Sequence, residues 1–404
     1  MAFLTLNDVD LSRKTALLRV DFNSPIDPVS STILDDKRFR EHVPTIQALE
    51  DAKCVILTHQ SRPGKKDFTT LEAHAEILGR LLSRPVRYVD DIFGKCARDA
   101  VRTMEPGDVL MLENVRFNAE ENLKLRPEDA KNTLFVRKIV QMADIYVNDA
   151  FGTAHRSQPS MVGIPLAIRS VAGLLMQREV ETLSRVITGA PKPVVFVLGG
   201  TKVDDSIDVA RNVLENGIAD RVVVVGVVAN IFLMAAGYDI GAPSSQLVEQ
   251  LGYAGEIAKA RDLLDRFRDA ILMPSHVAVR DGNVRVEHAV DAIPPDKPVM
   301  DLGMDAVFPT VAVLRAAGTV VFNGPAGVFE DAHFSIGTLE LLRAASEAGF
   351  SVVGGGHTAA VTEKIGIEDR FTHISTGGGA CIEFLTGKPL PAVSALEASK
   401  RLFW

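Results

Sequence analysis

The chain has 404 residues, more than one hydrophobic core ordinarily supports, so two domains are expected. Hydrophobic residues make up 47% and charged residues 24%, and the net charge of −8 argues against wholesale nucleic-acid binding, leaving only a local basic cleft open. The start "MAFLTLNDVDLSRKTALLRV" has no charged segment leading into an apolar one, and no run of about 18 apolar residues occurs, so no signal peptide and no membrane span are expected and the reading is a cytoplasmic protein.

Short apolar runs alternate with longer amphipathic segments, the pattern of parallel strands linked by helices. In the first half the predicted strands are 15–22 ("TALLRVDF"), 54–59, 86–90, 108–114 and 143–149. The segment 166–187 ("LAIRSVAGLLMQREVETLSRVI") repeats apolar residues at three- and four-residue spacing without proline, which predicts one long helix, closed by the break "TGAPKP". In the second half the predicted strands are 193–200, 221–226, 319–324, 350–356 and 372–379. Runs this apolar fit strands covered on both faces. The expected fold is α/β: two Rossmann-like domains, each a parallel sheet flanked by helices, joined by a long hinge helix. The expected boundaries are 1–167, a hinge helix at 168–187, 188–389, and a tail at 390–404 that packs back near the hinge or the N-terminal domain. The cysteines Cys54, Cys96 and Cys381 are scattered and form no C-x-x-C pair, so neither a zinc site nor a disulfide framework is indicated.

In open α/β sheets, ligands bind beyond the carboxyl ends of the strands, and the two halves differ there. In the first half those ends carry cations and hydrogen-bonding groups. "RVDFNSP" supplies Arg19, Asp21, Phe22 and Asn23, and "DDKRFREHVPTI" supplies Arg38 and Arg40. "THQSRP" supplies His59, Gln60, Ser61 and Arg62, "LENVRF" supplies Arg116, and "NDAFGTAHRSQ" supplies Asn148, Asp149, His155 and Arg156. Guanidinium forks present paired N–H groups to phosphate and carboxylate oxygens, so this half predicts a site for a small, multiply charged anion. In the second half the same positions carry glycine: "LGGTKVDDS" (198–206), "FNGPAGVFE" (322–330), "VVGGGHT" (352–358) and "STGGGAC" (375–381). Each lies between a predicted strand and a predicted helix, where backbone amides can hold phosphate, and the first also carries Lys202. The full P-loop spacing and the G-x-G-x-x-G fingerprint are both absent.

Taken together, "RVDFN", "RFREHVPTI", "LENVRF", "YVNDAFGTAHR", "GGTKV", "FNGPAGVFE" and "STGGGA" resemble phosphoglycerate kinase. They stand in that family's order over essentially the whole chain, and the short loops and "GGGH" are most similar to its archaeal branch. The resemblance implies a glycolytic and gluconeogenic kinase that moves a phosphoryl group reversibly between 1,3-bisphosphoglycerate with ADP and 3-phosphoglycerate with ATP. The partners it implies are small molecules only, with no nucleic acid and no membrane, and Mg²⁺ arrives with the nucleotide. The phosphoglycerate site it implies comprises Asp21, Phe22, Asn23, Arg38, His59, Gln60, Ser61, Arg62, Arg116, His155 and Arg156. The nucleotide site it implies comprises Gly200, Thr201, Lys202, Met300 against adenine, Asn323 on the triphosphate, Glu330 on the ribose hydroxyls, Gly355, Gly356, His357, Thr358, Gly377 and Gly378. Arg38 and Lys202 are the implied catalytic cations. The nucleophile in the ATP-consuming direction is a carboxylate, ionised at neutral pH, so no general base is required.

Three positions depart from the family's commonest form. Ser206 stands where a second phosphate-directed lysine is frequent, "MPSH" with His276 replaces "LPVD", and His357 replaces an aspartate associated with magnesium. A neutral imidazole is a poor Mg²⁺ ligand, and Asp204 and Asp205 are the nearby candidates to compensate. His42, His74, His288 and His333 lack a motif and read as surface or packing residues, while His373 reads as structural or as orienting the adjacent glycines. Two other readings exist: a dinucleotide or nucleotide-sugar enzyme, which needs the missing fingerprint, and a catalytically silent nucleotide-binding paralogue with a sensing or scaffold role, which the changes at Ser206 and His357 would suit.

Overall fold

The computed structural model describes residues 2–27, 29, 30 and 32–404; Met1, Pro28 and Ser31 lie outside the described residues. Contacts divide the chain into two units, one running to Glu181 and including Pro389–Trp404, the other spanning Thr182–Lys388.

The first unit is built on six parallel strands: β1 (Thr15–Arg19), β2 (Lys53–Leu57), β3 (Arg87–Val89), β4 (Val109–Leu112), β5 (Ile145–Asn148) and β6 (Ser170–Ala172). Their order is β3-β4-β2-β1-β5-β6. Neighbouring residues on a strand face opposite sides of the pleat, so Leu18 and Ile56 enter one core while Leu17, Val55 and Leu57 enter another. Phe39, Ile46, Ala75 and Leu78, from helices Lys37–Gln47 and Glu72–Leu82, cover the first face. Ala97, Val101, Phe135 and Ile139, from helices Lys95–Arg102 and Leu134–Ile139, cover the second. A fully buried leucine in such a sandwich contributes roughly 2 kcal/mol.

The helix expected at 166–187, and the hinge helix at 168–187, are corrected here. A 3-10 turn at Ile164–Leu166 is followed by β6, and the helix runs over Leu174–Gly189. Ser170, Val171 and Ala172 pair with Tyr146, Val147 and Asn148, so sheet pairing overrides the helical spacing of the segment's apolar residues. Gly173 separates the two elements, and a Cβ there would lie 2.2 Å from Asp149 Oδ1. The C-terminal helix Pro391–Phe403 belongs to the first unit, where the Ala392 N–H donates to the Ala154 carbonyl at 3.1 Å.

The second unit contains β7 (Val194–Leu198), β8 (Arg221–Val224), β9 (Ile271–Leu272), β10 (His276–Asp281), β11 (Val284–Ala289), β12 (Val299–Leu302), β13 (Thr319–Asn323), β14 (Phe350–Gly354) and β15 (His373–Ile374). Six of them form a parallel sheet ordered β15-β14-β13-β7-β8-β9. The other three form an antiparallel sheet, β11-β10-β12, which the sequence pattern above does not anticipate. The strand predicted at 372–379 shrinks to two residues because Gly377 already caps the helix Gly378–Leu385. Among the described residues no helix is long and apolar enough to cross a membrane.

Candidate active site

In the first unit, β4, β2, β1 and β5 are neighbours, so the loops leaving their carboxyl ends meet at one edge of the sheet. Asp21 lies just past β1 and accepts a hydrogen bond at Oδ2 from Arg38 Nη1, in the first turn of helix Lys37–Gln47. Burial opposes ionisation of Asp21, but the Arg38 guanidinium, with Arg19, holds its carboxyl well below the usual range. Ser61, in the left-handed region at φ 55°, donates its N–H to Asn23 Oδ1 at 2.7 Å and its hydroxyl to Asp67 at 2.7 Å. The Arg116 guanidinium donates to the Ser61 carbonyl. Gln60 donates to the Ser24 carbonyl at 3.0 Å and accepts from His74 Nε2 at 3.1 Å. The loop after β2 is therefore held from several sides before any ligand arrives.

His59 lies 3.2 Å from Arg19 Nη2 through its Nδ1. An arginine only donates, so Nδ1 is the unprotonated nitrogen. Burial, reinforced by Arg19, Arg116 and Arg156, pushes the His59 pKa well below its ordinary value. Burial, then Arg156 and Arg19, lower the Arg116 pKa to about 10. Arg156 is lowered by burial, with Arg19, Arg62 and Arg38 adding to it against Asp21. Guanidiniums that disfavour one another's charge, and that face few carboxylates, leave this edge with an excess of positive charge.

The structure brings Asp21, Asn23, Arg38, His59, Ser61, Arg116 and Arg156 to this edge. His155 accepts from Arg156 Nε at 3.4 Å, and Arg62 is exposed on the loop. The Phe22 ring instead stacks on Phe39 at 4.3 Å inside the core, so only its backbone faces the edge, with its N–H on Thr58 Oγ1 at 3.0 Å. Sequence reasoning missed Glu121 and Ser160. The Ser160 hydroxyl donates to Glu121 and accepts from Arg19 Nε at 3.1 Å, fixing the plane of a buried arginine. Nothing local in the sequence marks either residue, because they meet Arg19 only across the fold.

In the second unit the ends of β15, β14, β13 and β7 lie side by side, and helices begin there at Val203, Gly356 and Gly378. Gly324, at φ 89°, donates its N–H to Thr358 Oγ1 at 3.0 Å, and an added Cβ would sit 2.1 Å from the Gly199 carbonyl oxygen. Gly199 and Gly200 donate to the Asn323 and Pro325 carbonyls at 2.8 and 2.9 Å. A Cβ on Gly378 would lie 3.5 Å from Gly355 and Gly356, so the glycine runs after β14 and β15 are adjacent. Beside them is a cavity of about 270 Å³ with largely apolar walls, among them Val227, Leu247, Val299 and Phe329.

Of the residues assigned from sequence, Gly200, Thr201, Met300, Glu330 and His357 line this cavity. Lys202, Asn323, Gly355, Gly356, Thr358, Gly377 and Gly378 stand in the strand-end loops and helix starts outside its lining. The His357 ring lies 6.0 Å from that of Phe329. Lys202 is exposed at the cap of helix Val203–Glu215. Ser206, one turn further on, is fully buried, and among the described residues its hydroxyl has no partner. Burial and the adjacent Asp204 raise the pKa of Asp205. His276, in β10, lies 3.7 Å from Asp305 and 3.2 Å from the Ser275 hydroxyl. Among the described residues no group of three or more His, Cys, Asp or Glu is placed to hold a metal.

The chain is thus a two-unit α/β protein with a basic strand-end edge in one unit and glycine loops at helix starts beside a cavity in the other. The family model for phosphoglycerate kinase matches residues 6–388. The phosphoglycerate kinase of Methanocorpusculum labreanum is 61% identical over 403 residues, covering 100% of both chains, and that of Methanothermus fervidus is 49% identical, covering 99% of this chain and 98% of its own. The crystal structure of phosphoglycerate kinase from Pyrococcus horikoshii superposes with a TM-score of 0.92 at 40% identity, covering 99% of this chain and 100% of that one. The chain belongs to the phosphoglycerate kinase family, with relatives of high similarity among the archaeal enzymes. It is an enzyme whose reaction is phosphoryl transfer between 3-phosphoglycerate and 1,3-bisphosphoglycerate, and the comparisons lend no support to a catalytically silent paralogue.

Proposed function

We propose that the domain of residues 1–167 binds phosphoglycerate at its basic edge and that residues 188–389 bind ADP or ATP at the glycine loops. The observation that supports the first assignment is the gathering of Arg116, Arg156, Arg19, Arg38 and Arg62 around Asp21 and Glu121, an excess of cations that a dense anion would balance. Asn23, Ser61 and His59 supply directional hydrogen bonds around it, while Gln60, fully buried on Ser24 and His74, braces the loop instead. In the second domain the amides of residues 354–356 and 377–379, at helix starts, receive the nucleotide phosphates. Met300 gives an apolar wall to the base, and Glu330 accepts from the ribose hydroxyls.

Phosphoryl transfer needs placement and charge neutralisation more than covalent help from the protein. Arg38 and Lys202 neutralise the transferring group in this scheme, and no side chain is needed to deprotonate the acceptor. The helix Leu174–Gly189, which starts in one unit and ends in the other, serves as the hinge whose closure excludes water from an acyl phosphate.

The donor set fits magnesium carried by the nucleotide better than magnesium caged by protein. Mg²⁺ takes one or two carboxylates and completes its shell with phosphate and water. Asp204 and Asp205, in the first turn after Lys202, are carboxylates of this kind. When bound, the ion would neutralise phosphate charge. The expected setting is the cytoplasm, with flux in the glycolytic and gluconeogenic directions. A coupled assay with 3-phosphoglycerate and Mg-ATP tests the reading: turnover supports it, and none with an intact fold overturns it.

A further inference from the structure

His42 stands in "RFREHVPTI" with no role assigned from sequence, yet it is buried to 2% exposure and joins three elements of the phosphoglycerate half-site. Its Nε2 accepts the backbone N–H of Asp21 at 3.1 Å. The ring proton therefore sits on Nδ1, 2.7 Å from Asp149 Oδ2. The other oxygen of Asp149 accepts the N–H groups of Leu175 at 2.9 Å and Met176 at 3.2 Å, the first turn of the helix Leu174–Gly189. Thr45, three residues after His42, accepts the Leu174 N–H at 3.1 Å.

One helix thus carries Arg38, His42 and Thr45 at positions i, i+4 and i+7, on a single face. Arg38 holds the Asp21 carboxylate, His42 holds the Asp21 amide, and Thr45 and Asp149 hold the start of the longer helix. The Phe22 ring stands edge-on to His42, at 5.6 Å between centroids, and closes the site to water. In so dry a place a missing partner leaves the Asp21 amide or an Asp149 oxygen unsatisfied, and the segment must shift to recover it.

We propose that His42 is a positioning residue of the phosphoglycerate half-site: it sets the Asp21 segment, and through Asp21 the Arg38 guanidinium, relative to the capped start of the helix Leu174–Gly189. The inference rests on phosphoglycerate binding at the basic edge. The His42 ring is buried and engaged on both nitrogens by Asp21 and Asp149, so its signature is selective. Losing the Asp21 contact weakens use of phosphoglycerate and leaves the nucleotide parameters alone.

Two substitutions separate the ring's two nitrogens. In His42→Gln the side-chain amide reaches the Nε2 position, and in His42→Asn it reaches only the Nδ1 position. His42→Asn is expected to raise KM for 3-phosphoglycerate about tenfold or more, with KM for Mg-ATP within twofold, and His42→Gln is expected to recover most of that loss. Equal KM shifts for both substrates, or a His42→Asn enzyme with 3-phosphoglycerate KM within twofold of the parent, would overturn the proposal. ¹⁵N NMR of the unsubstituted enzyme gives an answer even if the variants do not fold: the Nδ1–H tautomer of His42 is expected, with its Nε2 signal moving on addition of 3-phosphoglycerate, and an Nε2–H tautomer contradicts it. If Arg116→Ala leaves 3-phosphoglycerate binding intact, the assignment of the half-site fails; if Arg116→Ala abolishes binding and His42→Asn does not weaken it, only this inference fails.

Discussion

Arg19 Nη2 stands 3.2 Å from His59 Nδ1, a cation against an imidazole that burial already keeps neutral. The pair joins the ends of β1 and β2 and leaves His59 Nε2–H as the donor. Two histidines of the first unit, His59 and His74, have pKa values below the ordinary 6.5, His74 at about 4.

These two residues make the fold sensitive to acid. A histidine whose folded pKa lies below its unfolded value is neutral in the native state while the unfolded chain still takes up a proton. Its contribution is therefore whole above pH 6.5 and is lost as pH falls towards 4. The fall from 6.5 to about 4 at His74 corresponds to roughly 3 kcal/mol. Urea midpoints measured between pH 7 and pH 4 are expected to fall steeply. His74→Phe, which loses the bond to Gln60 and about 1 kcal/mol at pH 7, should show a shallower pH slope.

Arg38→Ala removes the partner of Asp21 at the surface of the half-site. kcat should drop by about a hundredfold or more, the scale seen when one donor to a developing charge is removed. Far-UV circular dichroism should be unchanged, because Asp21 keeps the His42 and Arg19 environment. Near-normal turnover would remove Arg38 from the catalytic role.

Gly324→Ala places a methyl group 2.1 Å from the Gly199 oxygen and demands φ 89° of a non-glycine residue. The strand-end loops of β7 and β13 must then separate. A loss of about 2–4 kcal/mol in the second unit is expected, with KM for Mg-ATP raised. Calorimetry and nucleotide titration on the same sample check both.

Magnesium dependence should separate Asp205 from His357. Asp205→Asn is expected to raise the half-saturating Mg²⁺ concentration about tenfold, the scale of one charge-assisted contact. His357→Ala should change it by less than about twofold, since imidazole is a poor Mg²⁺ ligand. EDTA should abolish turnover in every variant. The opposite ranking would move the metal to the loop after β14.

Much of the fold is legible in the sequence because parallel strands buried on both faces are continuous apolar runs, as in "CVIL" and "VVFVL". The basic and glycine-rich ends are legible because they adjoin those runs directly. β6 is hidden because "SVA" is too short to outweigh the helical spacing around it. The hairpin of β10 and β11 did carry a signal: "HVAVR" and "VRVEHA" alternate on either side of "DGN", with Gly282 at φ 58°. The roles of Glu121, Ser160 and Asp149 could not be assigned from spacing, since each acts on a residue brought near only by the sheet. Likewise the role of His42, although it stands in "RFREHVPTI", is not legible because its partners lie 21 and 107 residues away.

Calorimetric titration of two variants decides whether the two substrates are divided between two half-sites. Arg116→Ala should lose measurable binding of 3-phosphoglycerate while keeping Mg-ADP affinity within about threefold, and Lys202→Ala should do the reverse. If either variant lost both ligands with its fold intact, or if Arg116→Ala bound 3-phosphoglycerate as the parent does, the division would be contradicted.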